Sequence, residues 1–155
     1  MLKINDQIPN FEILTDQDDF KVSNYLGKKI VVFFFPKADT SGCTAESIAF
    51  SNLQKDFDKL NCVVIGISKD KPQKQSKFRE KYNLSCILGA DFENNVCEQF
   101  GVWVEKSMYG RKYMGIQRST FLCDENGVIK KIWEKVKVPG HADEVLQAVI
   151  DLENS

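Results

Sequence analysis

No C-x-x-C pair occurs in the sequence, and histidine appears once, as His141. The first absence excludes a thioredoxin-type dithiol oxidoreductase, which needs two cysteines around a two-residue spacer. Together the two leave no set of nitrogen and sulfur ligands at zinc spacing. No run reaches the roughly 18 apolar residues of a membrane span. The opening MLKINDQIPNFEIL has no apolar stretch behind a basic start, so a cytoplasmic protein is expected. Charge of one sign is lacking too: 21 basic and 22 acidic residues leave a net charge of -1. No strong field therefore draws in nucleic acid or a membrane surface. Repeats, low-complexity tracts and Pro/Gly/Ser linkers are absent, and the four prolines are scattered. At 155 residues, 43% of them apolar, the chain suits one domain, 1–155, able to bury a substantial core.

What is present alternates between two periods. FEILTDQDDFKVSNYLG sets two short alternating runs around an acidic turn, which predicts a hairpin closing at Asp16 to Asp19. KKIVVFFFP carries six consecutive β-branched and aromatic residues, Ile30 to Phe35, the pattern of a central strand buried on both faces. From Thr44 onward Ala45, Ala49, Phe50, Leu53, Phe57 and Leu60 fall at helical spacing, opposite Lys55, Asp56, Asp58 and Lys59, and predict one helix. CVVIGIS predicts a second buried strand, and KPQKQSKFREKYN a polar helix with Pro72 near its first turn. CILGA follows as a short third strand and NNVCEQFGV as a short helix stopped by Gly101. WVEKSMYGRKYMGIQ, glycine-punctuated and basic, predicts a loop or a loose hairpin. RSTFLCDENGVIKKIWEKV reads as two strands turning at Asn126-Gly127. HADEVLQAVIDLE closes as a helix with Ala142, Val145, Leu146, Val149 and Ile150 on one stripe. The order predicts an α/β chain with a mixed central sheet flanked by helices, a thioredoxin-like fold with an N-terminal β-hairpin extension.

Five cysteines are present, Cys43, Cys62, Cys86, Cys97 and Cys123. An odd number without an export signal argues for reduced thiols rather than a disulfide framework. Cys43 differs from the rest in its setting. Pro36 ends the strand because it cannot donate to a ladder, and the six residues after it form a loop that delivers Cys43 to the N-terminus of a helix. Unpaired backbone N–H groups and about half a positive charge there favour a thiolate over a thiol. Full ionisation gains only about thirtyfold in nucleophile at neutral pH, and nucleophilicity falls as pKa falls. A large rate therefore needs fixed donors around the sulfur that hold the transition state. Thr40, three residues earlier, can aim its hydroxyl, both donor and acceptor, at the same point. Other residues have blander readings. Cys62 and Cys123 sit in apolar strands as small hydrophobes. His141 reads as capping or preceding the last helix, Trp103 and Trp133 as packing or rim residues, and Lys106, Arg111 and Lys112 as a solvated basic loop.

Pro36, Thr40 and Cys43 spell P-x-x-x-T-x-x-C, with Glu46 three residues on. This signature resembles that of the peroxiredoxins. FFFPKADTSGCTAE, VIGISKDKP, VCEQFGVWVEKSMYG and GIQRSTFLCDENGVI resemble, in order and at similar intervals, segments of the bacterioferritin comigratory protein, or Q-type, subfamily. The resemblance covers nearly the whole chain. It implies a thiol-dependent peroxidase acting on hydrogen peroxide and organic hydroperoxides, in which Cys43 attacks the O–O bond as thiolate and becomes a sulfenic acid. Thr40 would then hold the peroxide, Pro36 shield the sulfenate and Glu46 position nearby groups. Arg118 in GIQRST matches the family's later arginine, whose fixed charge would favour the thiolate and steady the developing negative oxygen. The resemblance implies no metal or organic cofactor, and a monomer.

Two-cysteine members of the subfamily keep a resolving cysteine five residues after the first, where this chain has Ile48. A second group keeps it in the following helix, at the position of Arg79. A disulfide needs Cα atoms within about 7 Å. Cys62 opens a strand parallel to Ile30 to Phe35 and so lies at the end of the sheet away from Cys43. Cys123, five residues past Arg118 at roughly 3.3 Å each, lies about 16 Å from the site. Cys86 could bridge only if the end of the preceding helix unravelled, and Cys97 lies in the short helix before Gly101. A one-cysteine mechanism is expected, with an external thiol such as thioredoxin, glutaredoxin or glutathione meeting the sulfenic acid. The alternatives are a two-cysteine enzyme resolving Cys43 through Cys86 or Cys97, and a thioredoxin-like interaction domain without catalysis.

Overall fold

The elements along the chain are β1 (Glu12–Thr15), β2 (Phe20–Lys21), β3 (Lys29–Phe34), α1 (Ser41–Asn52), α2 (Gln54–Lys59), β4 (Cys62–Ser68), α3 (Pro72–Tyr82), β5 (Ile87–Ala90), α4 (Val96–Phe100), β6 (Trp103–Met108), β7 (Arg111–Ile116), β8 (Ser119–Cys123), β9 (Ile129–Trp133) and α5 (His141–Glu153). They are taken from a computed structural model that describes residues 1–155. Seven strands form one mixed sheet in the order β2-β1-β5-β4-β3-β8-β9. β3 is buried at every position, as its β-branched and aromatic run requires. It pairs parallel with β4 and antiparallel with β8. The N-terminal hairpin extends the same sheet, because β1 pairs antiparallel with the edge of β5.

Strand alternation divides the core into two layers. Ile30, Val32 and Phe34 point into one, which holds Cys97, Phe100 and Cys123. Val31, Phe33 and Phe35 point into the other, which holds Cys43, Phe50, Phe57, Phe78, Cys86 and the buried stripe of α5. Phe33 stacks on Phe50 with ring centroids 4.4 Å apart. Gly66, the register partner of Phe33 on β4, leaves room for that ring: a Cβ there would lie 2.4 Å from Phe33 Cζ. At the opposite end of the sheet from Cys43, the buried Lys29 ammonium pairs with Glu125 at 2.9 Å and with Glu153, and donates to the Leu60 carbonyl at 3.0 Å. That cluster ties the start of β3 to the β8–β9 turn and to the end of α5.

Two expectations change. The single helix predicted from Thr44 to Leu60 is two helices, and the first begins earlier, at Ser41. Leu53 leaves helical geometry at φ −97° and ψ 8°, and its N–H bonds to the carbonyls of Phe50 and Ser51. The break re-aims the chain so that Phe57, in α2, reaches the core beside β4. The buried face of α1 is Cys43, Glu46, Ser47 and Phe50, while Ala45 is exposed. The second change concerns residues 103–116, which form a regular antiparallel hairpin apart from the main sheet. Tyr109 and Gly110 turn it with φ of 52° and 78°, the double left-handed geometry of a two-residue loop. Its strands are half-exposed on both faces, so no alternation marked them in the sequence. No helix is long and apolar enough to cross a membrane.

Candidate active site

β8 runs antiparallel to β3 with Ser119 opposite Phe34. Arg118, one residue earlier, therefore lies just past the end of β3, where the chain loops into α1. Thr40 is the N-cap of α1, and Cys43 occupies its first turn. These two facts of register bring the guanidinium and the sulfur together. Arg118 Nη2 donates to Cys43 Sγ at 3.2 Å, and Nη1 donates to Glu46 Oε1 at 2.6 Å. Cys43 and Glu46, three residues apart on one helix face, thus share a single cation. Gly42 permits the approach, since a Cβ there would stand 3.3 Å from Nη2. The Arg118 backbone is held as well, its carbonyl accepting from Val136 N at 3.0 Å.

Cys43 and Glu46 are each 1% exposed. Burial pushes the Glu46 carboxyl up to about 7, with the Arg118 charge opposing it. Glu46 Oε2 has no hydrogen-bond partner, which fits a group whose neutral form is favoured. The loop before the helix is clasped from two sides. Asp70 Oδ2 accepts from Ala38 N and from Ser68 Oγ, both at 2.7 Å. Asp39, at φ 63°, accepts from the Tyr82 hydroxyl at 2.6 Å and pairs with Lys81 at 3.0 Å. The Tyr82 bond, and Lys81 after it, hold the Asp39 carboxyl below the usual range.

Thr40 sits where the sequence places it, but its hydroxyl donates to the Lys37 carbonyl at 2.8 Å and makes no bond to Cys43. With the proton engaged, its oxygen is left to act as an acceptor. Pro36 is exposed and follows Phe35, whose N–H still bonds to the Ile67 carbonyl at 3.0 Å. Lys106 departs from the solvated loop expected of it. It is half-buried in a cleft with Val104, Glu105, Gln117, Arg118, Lys135 and Val136. Burial, and then Arg118, lower its pKa, while Cys43 opposes. No sequence signal marked Lys106, Asp70 or Asp39, because each acts through a fold contact rather than a motif. His141 begins α5 and is buried, its Nε2 lying 2.8 Å from Thr120 Oγ1. Burial pushes it down to about 4, so it is neutral near pH 7 and packs edge-on to Phe50 and Trp133. It makes no side-chain cap.

All five cysteines are free and buried. Cys97 and Cys123 lie in the core layer on the far face of the sheet from Cys43. Cys62 pairs with Lys29 at the far end of β3. Cys86 shares the layer of Cys43, but its N–H bonds to Ser51 Oγ at 3.3 Å. Ser51 is eight residues along α1 from Cys43, about 12 Å at 1.5 Å per residue, beyond the reach of a disulfide. Burial raises the pKa of all four, to about 12 for Cys62 and Cys123. Ile48 is partly buried against the same layer, and Arg79 is bound to Asp16 at 2.6 Å.

Residues 4–132 match the model of the AhpC/TSA family. The chain is 43% identical over 152 residues to peroxiredoxin Bcp of Bacillus subtilis (strain 168), covering 97% of each. It is 42% identical over 147 residues to peroxiredoxin Bcp of Escherichia coli (strain K12), covering 94% of each. A solved structure of Xanthomonas campestris bacterioferritin comigratory protein, described for its alkyl peroxide reduction activity, is similar at a TM-score of 0.90 and 32% identity, over 97% of this chain and 99% of that one.

Proposed function

This chain belongs to the AhpC/TSA family as a peroxiredoxin of the Bcp kind and is a thiol-dependent peroxidase; from that premise we propose that Cys43 is its reacting sulfur and that an outside thiol restores it. The observation that carries this reading is the 3.2 Å bond from Arg118 Nη2 to Cys43 Sγ. A fixed cation against the sulfur stands where negative charge develops on the reacting atoms and needs no reorganisation during reaction. The thiolate attacks the hydroxyl oxygen of a hydroperoxide, an S–O bond forms as the O–O bond breaks, and the leaving oxygen takes a proton to depart as water or alcohol. Sulfur is oxidised by two electrons and the peroxide is reduced by two. Thr40 accepts a hydrogen bond from the peroxide, Arg118 holds the developing negative oxygen, Glu46 fixes Arg118, and Pro36 screens the product. Hydrogen peroxide and organic hydroperoxides, including the alkyl peroxides reduced by the Xanthomonas relative, fit this chemistry.

No second sulfur lies within reach of Cys43 in this fold. The sulfenic acid is therefore met by an external thiol, which forms a mixed disulfide and releases water. A second thiol then attacks the donor sulfur and frees Cys43. Thioredoxin, glutaredoxin or glutathione, the reducing thiols of a cytoplasmic compartment, supply this role to a monomeric enzyme. Peptide mass spectrometry after one equivalent of peroxide tests it. One added oxygen trapped on Cys43 is expected, with none on Cys43→Ser. A disulfide from Cys43 to Cys86 or Cys97 would replace the one-cysteine route by the two-cysteine one, and unchanged turnover in Cys43→Ser would remove the assignment altogether.

A further inference from the structure

We infer that the β6–β7 hairpin is the docking surface for an acidic protein that carries the reducing thiol to Cys43. Eight large hydrophobic residues of the chain are exposed, and four of them, Met108, Tyr109, Tyr113 and Met114, lie on these 14 residues, with Tyr109 99% exposed. Packing does not explain them, because the hairpin stands apart from the seven-stranded sheet. A concentration of exposed apolar side chains rimmed by charge marks an interaction site. Charge indicates what the surface takes. Lys106 and Arg111 share one face of the hairpin with no acid, and Lys112 pairs with Glu105 on the other at 3.6 Å, whereas the chain as a whole is at -1. The hairpin is a basic end on a slightly acidic protein, complementary to an acidic partner.

Register ties this surface to the sulfur. Directly paired residues share a face of a hairpin, so Val104, Lys106, Met108, Arg111 and Tyr113 project together. Val104 and Lys106 on that face line the cleft beside Arg118. The face thus runs without interruption from the exposed tip to the guanidinium bonded to Cys43. Flexible methionines and amphipathic tyrosines suit a partner surface that must bind and release in each cycle. An anionic membrane is the weaker fit, because Arg111 is the one exposed cation of that face and Lys106 is half-buried in the cleft.

This inference rests on the one-cysteine reading and is tested by splitting the half-reactions. Protein oxidised with one equivalent of peroxide is reduced by dithiothreitol, or by an acidic thioredoxin recycled with its reductase, and the rates are followed by stopped flow. The variants are Arg111→Glu and Met108→Ser/Tyr113→Ser, all at exposed positions of that face. Each is expected to slow reduction by thioredoxin about tenfold or more, and the charge reversal to abolish its decline with added salt. Rates with peroxide and with dithiothreitol stay at wild-type values, which also shows that the fold is intact. Wild-type thioredoxin rates in both variants overturn the proposal. So does loss of binding to anionic phosphatidylserine vesicles, or of a wild-type dimer in sedimentation, with the thioredoxin rate unchanged. Failure of the one-cysteine reading is seen separately, as an internal Cys43 disulfide formed equally in wild type and variants.

Discussion

Glu46→Gln asks whether the buried carboxyl beside Cys43 stabilises or strains the fold. Glu46 is 1% exposed and its pKa is pushed from 4.5 up to about 7, burial outweighing the Arg118 charge. The folded chain therefore binds this proton more tightly than the unfolded one. At about 1.4 kcal/mol per pH unit the difference comes to roughly 3 kcal/mol. Its sign follows from the raised pKa: the contribution is complete below about 4.5 and is lost as pH rises through about 7. Glutamine keeps an oxygen for Arg118 Nη1 and never titrates. In a Cys43→Ser background, which removes the neighbouring thiol, urea unfolding should give nearly equal stabilities at pH 5. By pH 8 the Gln form should be ahead by on the order of 3 kcal/mol, or roughly 6–12 °C in Tm for a chain of this size. The opposite result is equally readable. If the 2.6 Å Arg118 bond outweighs desolvation, removing one partner of a buried pair costs about 3–5 kcal/mol, and the Gln form falls behind as pH rises. That outcome would refute the raised carboxyl and, with it, the account of how Arg118 is shared.

Three further outcomes are expected. Gly42→Ala adds a methyl 3.3 Å from Arg118 Nη2 while favouring the helix by up to about 1 kcal/mol; thermal stability should hold or rise while the peroxide rate drops, by tenfold or more if a charge-assisted bond of about 1.5–3 kcal/mol is lost. Equal rates in stopped flow would show that the guanidinium moves aside without cost. Gly66→Ala places a Cβ 2.4 Å from the Phe33 ring, stacked on Phe50; overpacking there should cost about 1–3 kcal/mol, and a Tm within error of wild type would contradict the packing described. His141, held neutral down to about 4 by burial, contributes stability that is present above about 6.5 and lost as pH falls through 4. His141→Gln, which can keep a bond to Thr120, should flatten that part of the acid unfolding curve, and an unchanged curve would mean that the ring is solvated.

Much of this was legible in the sequence, where local pattern and fold agree. The run Ile30 to Phe35 reads as a central strand, which lies at Lys29–Phe34, and the loop from Pro36 through Thr40 delivers Cys43 to the first turn of α1 as expected. Arg118 was found by family resemblance, and its position became physical only through register, since Ser119 faces Phe34 across the sheet. The residues that escaped notice lack periodic or motif signals. Asp70 looked like one acid in a polar turn, yet it bonds the backbone of the loop before Cys43. Lys106 looked solvated because strands 103–108 and 111–116 are not alternating, and only their fold against the cleft half-buries it. The division of one predicted helix into α1 and α2 was hidden for a similar reason: its apolar spacing continues through Leu53, and no glycine or proline marks the break.

The same geometry that isolates Cys43 from other sulfurs also separates its two half-reactions. The sheet puts Cys97 and Cys123 on the opposite face, parallel register puts Cys62 at the opposite end, and the length of α1 keeps Cys86 away. A hydroperoxide and a thiol carried by a protein must both reach a sulfur that is 1% exposed, and they differ in bulk. The protein-borne thiol is the larger and must approach in line with the bond it breaks. On the proposed one-cysteine route, formation of the sulfenic acid would depend on fixed groups already in place, and its reduction would depend on the helix start loosening from Asp70 and from the Tyr82 and Lys81 pair. Weakening those clasps should speed reduction by a protein thiol while slowing the peroxide step, and strengthening them should do the reverse.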